Sequence, residues 1–280
     1  MKNTIALAFL LCAVSLIARA QHPFMTFNIR LATPTDGINQ WENRKDRVAE
    51  TILWYGTQVV GVQEALHNQM VDLQARLPEY AYVGVGRDDG KTAGEYSAIF
   101  YKKAALEVID SQTFWLSETP QVPSFGWDAK IRRVVTWAKF KDKESGKVFF
   151  VFNTHFDHQA VVARRESAKL LKKKVAEIAG NVPMVVMGDF NASPSQEPIQ
   201  IMLGAMTPKL EEARLVSQSK PFGPTGTFNG FQASETSDDP IDHIFITPSW
   251  RVHKFGTLSP TWKGLFASDH FAVIAWMELP

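Results

Sequence analysis

The stretch "PMVVMGDFNASP", Pro183 to Pro194, joins an apolar run to Gly188-Asp189-Phe190-Asn191 and then stops in a Ser/Pro turn. A short apolar run bounded by turn residues reads as a buried strand. Carrying such a strand up to a carboxylate is costly unless the acid has a partner. On an extended chain Asp189 and Asn191 project to the same side. The strand therefore delivers two polar groups to one of its ends, and the same arrangement recurs along the chain.

Further strand-like runs are "PFMTFNIRL", "TQVVGVQEA", "AYVGVGRDD", "YSAIFYKK", "VVTWAKFKD", "KVFFVFNTHFDH", "IDHIFIT" and "HFAVIAWMEL". Helical spacing is confined to a few segments. "WENRKDRVAETILWY" places Trp41, Val48, Ile52 and Tyr55 on one face, and Val161 to Ala179 forms a second helix closed by Gly180. Many strands with few interspersed helices predict an α/β (α+β) architecture, two sheets packed together and covered by helices rather than a βαβ wheel. No internal repeat, low-complexity tract or Gly/Pro/Ser-rich linker divides the chain, so residues 21–280 are expected to form one catalytic domain. Asn28, Glu64, His155, Asp189, Asp242, Asp269 and His270 all lie in or just after the strand-like runs. Strands laid side by side bring these groups to one rim.

The first twenty residues differ from the rest. Lys2 precedes the apolar stretch Ile5 to Ile17, and Ala18-Arg19-Ala20 fits the small-x-small pattern of a cleavage site. The apolar run of about thirteen residues is shorter than the roughly twenty a spanning helix needs. Residues 1–20 are thus expected to be a secretory signal peptide, with a secreted or periplasmic product and no membrane span after cleavage. The only cysteine, Cys12, lies inside that segment, so thiol and disulfide chemistry are excluded from the mature chain.

The full chain carries a formal charge of +1; without Lys2 and Arg19, 28 basic residues face 29 acidic ones, a net −1. Such a balance provides no field for strong nucleic-acid binding. The densest basic run, Arg164 to Lys174, interleaves with Ala168, Leu171, Val175 and Ile178 at helical spacing. It is expected to be the wet face of an amphipathic helix.

Asn28, Glu64, Asp189, Asn191, Asp242 and Asp269 are hard oxygen donors, with histidines beside them and no mature cysteine. This set suits Mg²⁺, or Mn²⁺ or Ca²⁺, better than structural zinc. In "NTHFDH" and "SDH", His155 and His270 stand near carboxylates. A histidine so placed is easier to protonate and can donate to a phosphoryl oxygen as charge builds. Taken singly, Glu95 is equally compatible with a solvated turn, and Arg132-Arg133 with the start of an edge strand.

The ordered set "FNIR", "VGVQEA", "GEYSAIFY", "FNTHFDH", "VVMGDFNASP", "IDHIFI" and "SDHFAV" resembles the endonuclease/exonuclease/phosphatase superfamily of deoxyribonuclease I-like hydrolases, from Phe24 to about Ala275. The resemblance implies a four-layer sandwich of two mixed sheets flanked by helices. It also implies hydrolysis of a phosphate ester by in-line attack of water. Under it Glu64 is the principal metal carboxylate, with Asn28 and Asp269 close to the metal. Asp189 orients or deprotonates the water, Asn191 holds the phosphate, and His270 polarises it with support from Asp242. His155 is the second histidine, with Glu95 its expected carboxylate partner, and Arg87 and Arg133 are weaker candidates for phosphate contact.

The resemblance fixes the chemistry better than the substrate. The export pattern and the absence of a basic field favour a small or glycan-linked phosphoester, monoester or diester, over a secreted nuclease for DNA or RNA. A non-catalytic binding protein on the same fold is expected to have lost Glu64, Asp189 or His270, and all three are present. The segment "DSQTFWLSETPQVPSFGWDAKIRR" resembles a loop of the bacterial branch, and its Trp115 and Trp127 are candidates to stack on a sugar or base. Packing of the same aromatics onto the domain is the equal alternative.

Overall fold

The computed structural model describes residues 21–233 and 238–280. The expected signal peptide lies outside the described residues. One sheet has the order β11 (Arg251–Leu258), β12 (Ala272–Glu278), β1 (His22–Asn28), β2 (Val59–Ala65), β4 (Tyr96–Lys102), β3 (Tyr80–Val83). The other has the order β5 (Leu106–Trp115), β6 (Val134–Asp142), β7 (Val148–His155), β8 (Met184–Asp189), β10 (Asp242–Ile246), β9 (Glu211–Glu212).

Each sheet holds one parallel pair, β1 with β2 and β7 with β8, and its other pairs are antiparallel. A parallel pair needs a crossover. Helix α1 (Trp41–Trp54) supplies it in the first sheet and α3 (Val161–Ala179) in the second. The expectation of packed sheets holds, with one βαβ unit embedded in each. The carboxyl ends of parallel strands are where open α/β sheets collect ligands, and here those ends are Asn28, Ala65, His155 and Asp189.

Strand alternation divides the core into three layers. Met25 and Phe27 of β1 pack with Trp41, Val48 and Ile52 of α1, and with Met70 and Leu73 of α2 (His67–Arg76). On the opposite face, Phe24 joins Val59, Phe140, Phe149, Val185, Met187 and Ile244 between the sheets. On the far side Phe152, Val186 and Phe245 pack under Ala168, Leu171 and Val175 of α3, and under Ile199 and Met202 of α4 (Glu197–Leu203). Burying each large apolar side chain stabilises the fold by about 1.5–3 kcal/mol.

Lys172 departs from the expected wet face of α3. It is fully buried, and its ammonium donates to the carbonyls of Ile201, Met202 and Gly204 at 3.1, 2.9 and 2.7 Å. It thereby satisfies the open carbonyl end of α4.

Near the rim the inter-sheet core turns polar. Asn153 of β7 crosses the seam and donates to the carbonyls of Val62 and Ala98, each at 2.9 Å. Gln63 donates to Asn153 Oδ1 at 2.6 Å and to Thr26 Oγ1 at 3.0 Å. Gly61 leaves room for this plug, since a Cβ there would meet Asn153 Oδ1 at 2.5 Å.

Candidate active site

Alternation along β2 points Val60 and Val62 at the helices, and Glu64 would follow them. Instead the β2–β4 register breaks between Val62 and Ala65, and Glu64 takes φ 64°. A left-handed non-glycine residue costs on the order of 1–3 kcal/mol, and the bulge re-aims the side chain. Glu64 then lines the pocket at the rim. Its Oε1 accepts from Asn28 Nδ2 at 3.1 Å and its Oε2 from the Leu31 amide at 3.0 Å.

Asp189 ends β8 beside β7. Gly188 before it is obligatory, because a Cβ would lie 2.0 Å from the Thr154 carbonyl oxygen. Asp189 Oδ2 accepts from Asn28 Nδ2 at 2.9 Å, and Oδ1 accepts from the Asn191 amide at 2.9 Å. The antiparallel pairing of β8 with β10 sets Asp242 directly opposite Asp189. Asp242 Oδ2 lies 2.9 Å from His270 Nδ1, and His270 Nε2 lies 3.7 Å from Asp189 Oδ2.

These contacts divide the protonation states. Burial pushes the Asp189 carboxyl up to about 7, and the Asp242 charge adds to the rise while His270, Asn28 and the Asn191 amide oppose it. Burial disfavours a charged His270, but the carboxylates of Asp242 and Asp189 outweigh it and hold this imidazole well above its usual range. His155 goes the other way, held well below by burial and then by the positive charges of Arg133 and Arg87. One histidine is a cation at neutral pH and the other is neutral. Groups driven apart in this way take distinct acid and base roles.

The neutral state of His155 corrects the expectation of two protonated histidines. Asn191 Nδ2 donates to His155 Nε2 and to the Phe156 carbonyl, each at 3.0 Å. Both amide hydrogens of Asn191 are therefore taken, and donation to a phosphoryl oxygen requires trading one of them. In this arrangement Asn191 orders His155.

Glu95 is not the partner of His155. Arg87 forks onto it, with Nη2 at 2.8 Å from Oε1 and Nη1 at 2.5 Å from Oε2, and His155 Nδ1 has no hydrogen-bond partner among the described residues. The strongest cation near Glu95 captures it, because a guanidinium offers two donors to one carboxylate. Arg87 and Arg133 both line the pocket, whereas Trp115 and Trp127 do not. Trp115 is buried and donates Nε1 to the Arg87 carbonyl at 2.7 Å. Trp127 lies with Glu166, Lys169, Leu170 and Lys173 of α3 along another groove. The neighbouring Asp128 caps α3, accepting from the Ala163 amide at 2.7 Å. Trp115 is thus buried packing, the loop caps α3 through Asp128, and neither indole lines the site.

The pocket has a volume of about 370 Å³. The sequence pattern did not point to six of its residues, the polar or aromatic Arg30, His158 and Phe228 and the apolar Leu31, Ile131 and Ile241. Phe228 stands edge-on to His270, with centroids 5.1 Å apart. The motif "TFN" carries no strand signal that would have flagged it. Arg44 was missed as well. It is fully buried and donates to the carbonyls of Ile29, Asn39, Ala267 and Arg30. Because α1 begins at the rim, Arg44 ties the Asn28 and Asp269 loops together.

A divalent cation fits this donor set. Glu64 and Asp269 both line the pocket, and burial raises the Asp269 carboxyl, with the Glu64 charge adding to the rise and His270 opposing it. Carboxylates gathered in a buried pocket call for positive charge. Asp189, Asp242 and His270 also bring one ligand atom each to within 4.8 Å of one another. That trio already has its cation in the His270 imidazolium, whereas the nearest cation to Asp269, Arg30 with Nε at 3.8 Å from Oδ2, is hydrogen-bonded to Asp36 through Nε and Nη2, so Glu64 and Asp269 are the better seat.

Comparison with known proteins places this geometry. The model of the Endonuclease/Exonuclease/phosphatase family matches residues 25–270. An endonuclease/exonuclease/phosphatase structure from Bacteroides vulgatus is 43% identical, with a TM-score of 0.88 over 94% of this chain and 100% of that one. A mannosyl-6-phosphatase from Bacteroides thetaiotaomicron is 34% identical, with a TM-score of 0.88 over 92% of this chain and all of that one. Nocturnin of Drosophila melanogaster is 24% identical over 85% of this chain. The chain spans between 38% and 62% of the length of the curated relatives it matches. With two six-stranded mixed sheets and the family model covering residues 25–270, the chain belongs to the endonuclease/exonuclease/phosphatase family.

Proposed function

We propose that this protein is an exported, divalent-metal-dependent phosphoester hydrolase acting on a small or glycan-linked phosphoester. The observation that carries the reading is the buried arrangement of Asp189, Asp242 and His270, with His270 Nε2 3.7 Å from Asp189 Oδ2 and His270 Nδ1 2.9 Å from Asp242 Oδ2; burial raises the Asp189 carboxyl, and the two carboxylates raise the imidazole. A base with a pKa near the working pH takes a proton most effectively. Asp189 removes a proton from water as its oxygen attacks phosphorus in line, and the bond from phosphorus to the leaving oxygen breaks. His270 Nε2 donates to a phosphoryl oxygen as charge builds, and Asp242 holds its ring. A Mg²⁺ ion, or Mn²⁺ or Ca²⁺, held by Glu64 and Asp269 with Asn28 alongside, would supply Lewis-acid stabilisation of the phosphoryl and leaving oxygens.

Export rests on the pattern of residues 1–20, and the glycan-linked substrate is supported by the likeness to a mannosyl-6-phosphatase. No helix among the described residues is long and apolar enough to cross a membrane. The matched family, whose description spans endonucleases and exonucleases as well as phosphatases, keeps a nuclease as the second reading, against which the near-neutral charge predicts weak, salt-sensitive affinity for duplex DNA. A panel of sugar phosphates, phosphodiester-bridged glycans, RNA and plasmid DNA, assayed with Mg²⁺ or Mn²⁺, tests the reading. Turnover of the sugar phosphates above the nucleic acids supports it, and the reverse order overturns it.

A further inference from the structure

We propose that Arg133 and His158 form a preset oxyanion seat beside the reaction centre, and that this seat restricts efficient hydrolysis to terminal phosphomonoesters. The inference rests on the phosphoester-hydrolase reading and narrows it.

Arg133 is the residue before β6, and its side chain is only 5% exposed. Its Nη2 donates to His158 Nδ1 at 3.1 Å, while Nε and Nη1 make no hydrogen bond among the described residues. Two carboxylates balance its charge without saturating its donors. Asp157 Oδ2 lies 3.8 Å from Nε, and Glu95 Oε2 lies 4.0 Å from Nη1. Glu95 is engaged by the Arg87 fork, and Asp157 accepts through Oδ1 from the amides of Gln159 and Ala160 at 2.8 and 2.7 Å, while its Oδ2, though it faces Nε, is too far to bond it and makes no hydrogen bond among the described residues. Buried donors left without acceptors carry a desolvation penalty. A pocket that maintains two of them beside its reactive groups is built for an acceptor that arrives with the ligand.

The same geometry sets His158. A guanidinium cannot accept a hydrogen bond, so Nδ1 of His158 is the acceptor and the ring proton sits on Nε2. His158 is exposed and lines the same pocket as Arg133, His155, Asp189 and His270. The pocket therefore has a second N–H donor on the Arg133 side. Together with the planar guanidinium fork, it matches tetrahedral phosphate oxygens better than any single-atom anion.

The substrate class follows from oxygen counting. A terminal phosphate brings three non-bridging oxygens and up to two negative charges, whereas a diester brings two oxygens and one charge. His270 and the Glu64/Asp269 seat serve the oxygens on their side of the pocket, and the third non-bridging oxygen meets Arg133. In a diester that oxygen bears a carbon arm. The guanidinium then keeps its donors unpaired, and the arm must share the pocket with Arg87, Glu95 and Ile131, which line it together with Arg133. Sites that leave a buried donor unpaired discriminate strongly.

The test uses the purified mature protein with Mn²⁺ or Mg²⁺, 4-nitrophenyl phosphate, bis(4-nitrophenyl) phosphate, and inorganic phosphate as both inhibitor and thermal-shift ligand. Arg133→Met is expected to lower kcat/KM on the monoester by about tenfold to a hundredfold, with the diester changed by less than about threefold and phosphate inhibition weakened in parallel. Arg133→Lys keeps the charge but loses the fork, and should fall between. It decides the matter if the Met variant does not fold. His158→Ala should shift the same ratio by a smaller factor. Equal losses on both substrates, or an unchanged monoester rate, would overturn the seat. An unchanged monoester rate together with a loss confined to a sugar bisphosphate would mean that Arg133 holds a remote second phosphate instead. If the wild type prefers the diester, the inference fails while the hydrolase reading stands. If the wild type turns over neither substrate, that reading fails, and the phosphate-induced thermal shift of wild type against Arg133→Lys still decides whether the seat exists.

Discussion

Asn28 at the end of β1 donates its side-chain amide to Asp189 at the end of β8 over 2.9 Å, joining the two sheets at the atoms that do the chemistry. The same Nδ2 lies 3.1 Å from Glu64 Oε1. One amide thus spaces the expected metal carboxylate from the expected base. Replacing it with Ala should leave the fold intact and lower kcat by about tenfold to a hundredfold, because a misplaced reacting group loses that much. Steady-state kinetics beside a melting curve make the check, and an unchanged kcat in a folded variant would contradict it.

The amide plug beneath the site has a sharper steric requirement. Gly61→Ala places a methyl group 2.5 Å from Asn153 Oδ1, and overpacking of this kind costs about 1–3 kcal/mol. Urea unfolding should show that loss, with a downward shift in Tm. An unchanged midpoint would mean that Asn153 does not hold the sheets in register.

His243 predicts a pH dependence of stability. Its Nδ1 lies 2.8 Å from Glu212 Oε1 and its Nε2 lies 2.9 Å from the Ala192 carbonyl, so both ring nitrogens face acceptors and the ring is an imidazolium. Burial lowers its pKa, but Glu212 and the Ala192 carbonyl outweigh it and raise it above the usual value. A raised folded pKa contributes stability that is complete below the unfolded value of about 6.5 and is lost as pH rises through the folded one. Glu212→Gln, which strands a buried cation, should cost about 3–5 kcal/mol near pH 6. The gap to wild type should shrink toward alkaline pH. A gap that widens with pH would contradict the assignment.

Most of the fold was legible in the sequence. The strands "VVTWAKFKD", "IDHIFIT" and "PMVVMGDFN" and the helix at 161–179 appear where apolar periodicity put them. The rim gathered Asn28, Glu64, His155, Asp189, Asp242, Asp269 and His270, because strand ends are set by hydrophobic pattern. Strands β5, β9 and β11 and helices α2 and α4 were missed, since β5 is an edge strand whose exposed residues break the apolar run, β9 is two residues long, and α2 and α4 are only ten and seven. What the pattern could not reveal was pairing. Whether Glu95 answers His155 or Arg87, and whether Trp115 faces a sugar or the Arg87 carbonyl, depends on loops whose competition for partners is three-dimensional.

Removal of the cation should be reversible and decisive. EDTA is expected to abolish turnover of a chromogenic phosphoester, with Mg²⁺ or Mn²⁺ restoring it, while Glu64→Gln raises the metal concentration needed by at least about tenfold. Full activity in EDTA would remove the cation from the account.

The most direct measurement is the turnover of Asp189→Asn on 4-nitrophenyl phosphate in saturating Mn²⁺. The amide keeps the shape of the carboxylate but cannot take a proton, so kcat should fall by about 10²–10⁴ with an unchanged melting curve. Undiminished kcat in a folded Asp189→Asn protein would contradict the claim that this carboxylate activates the water.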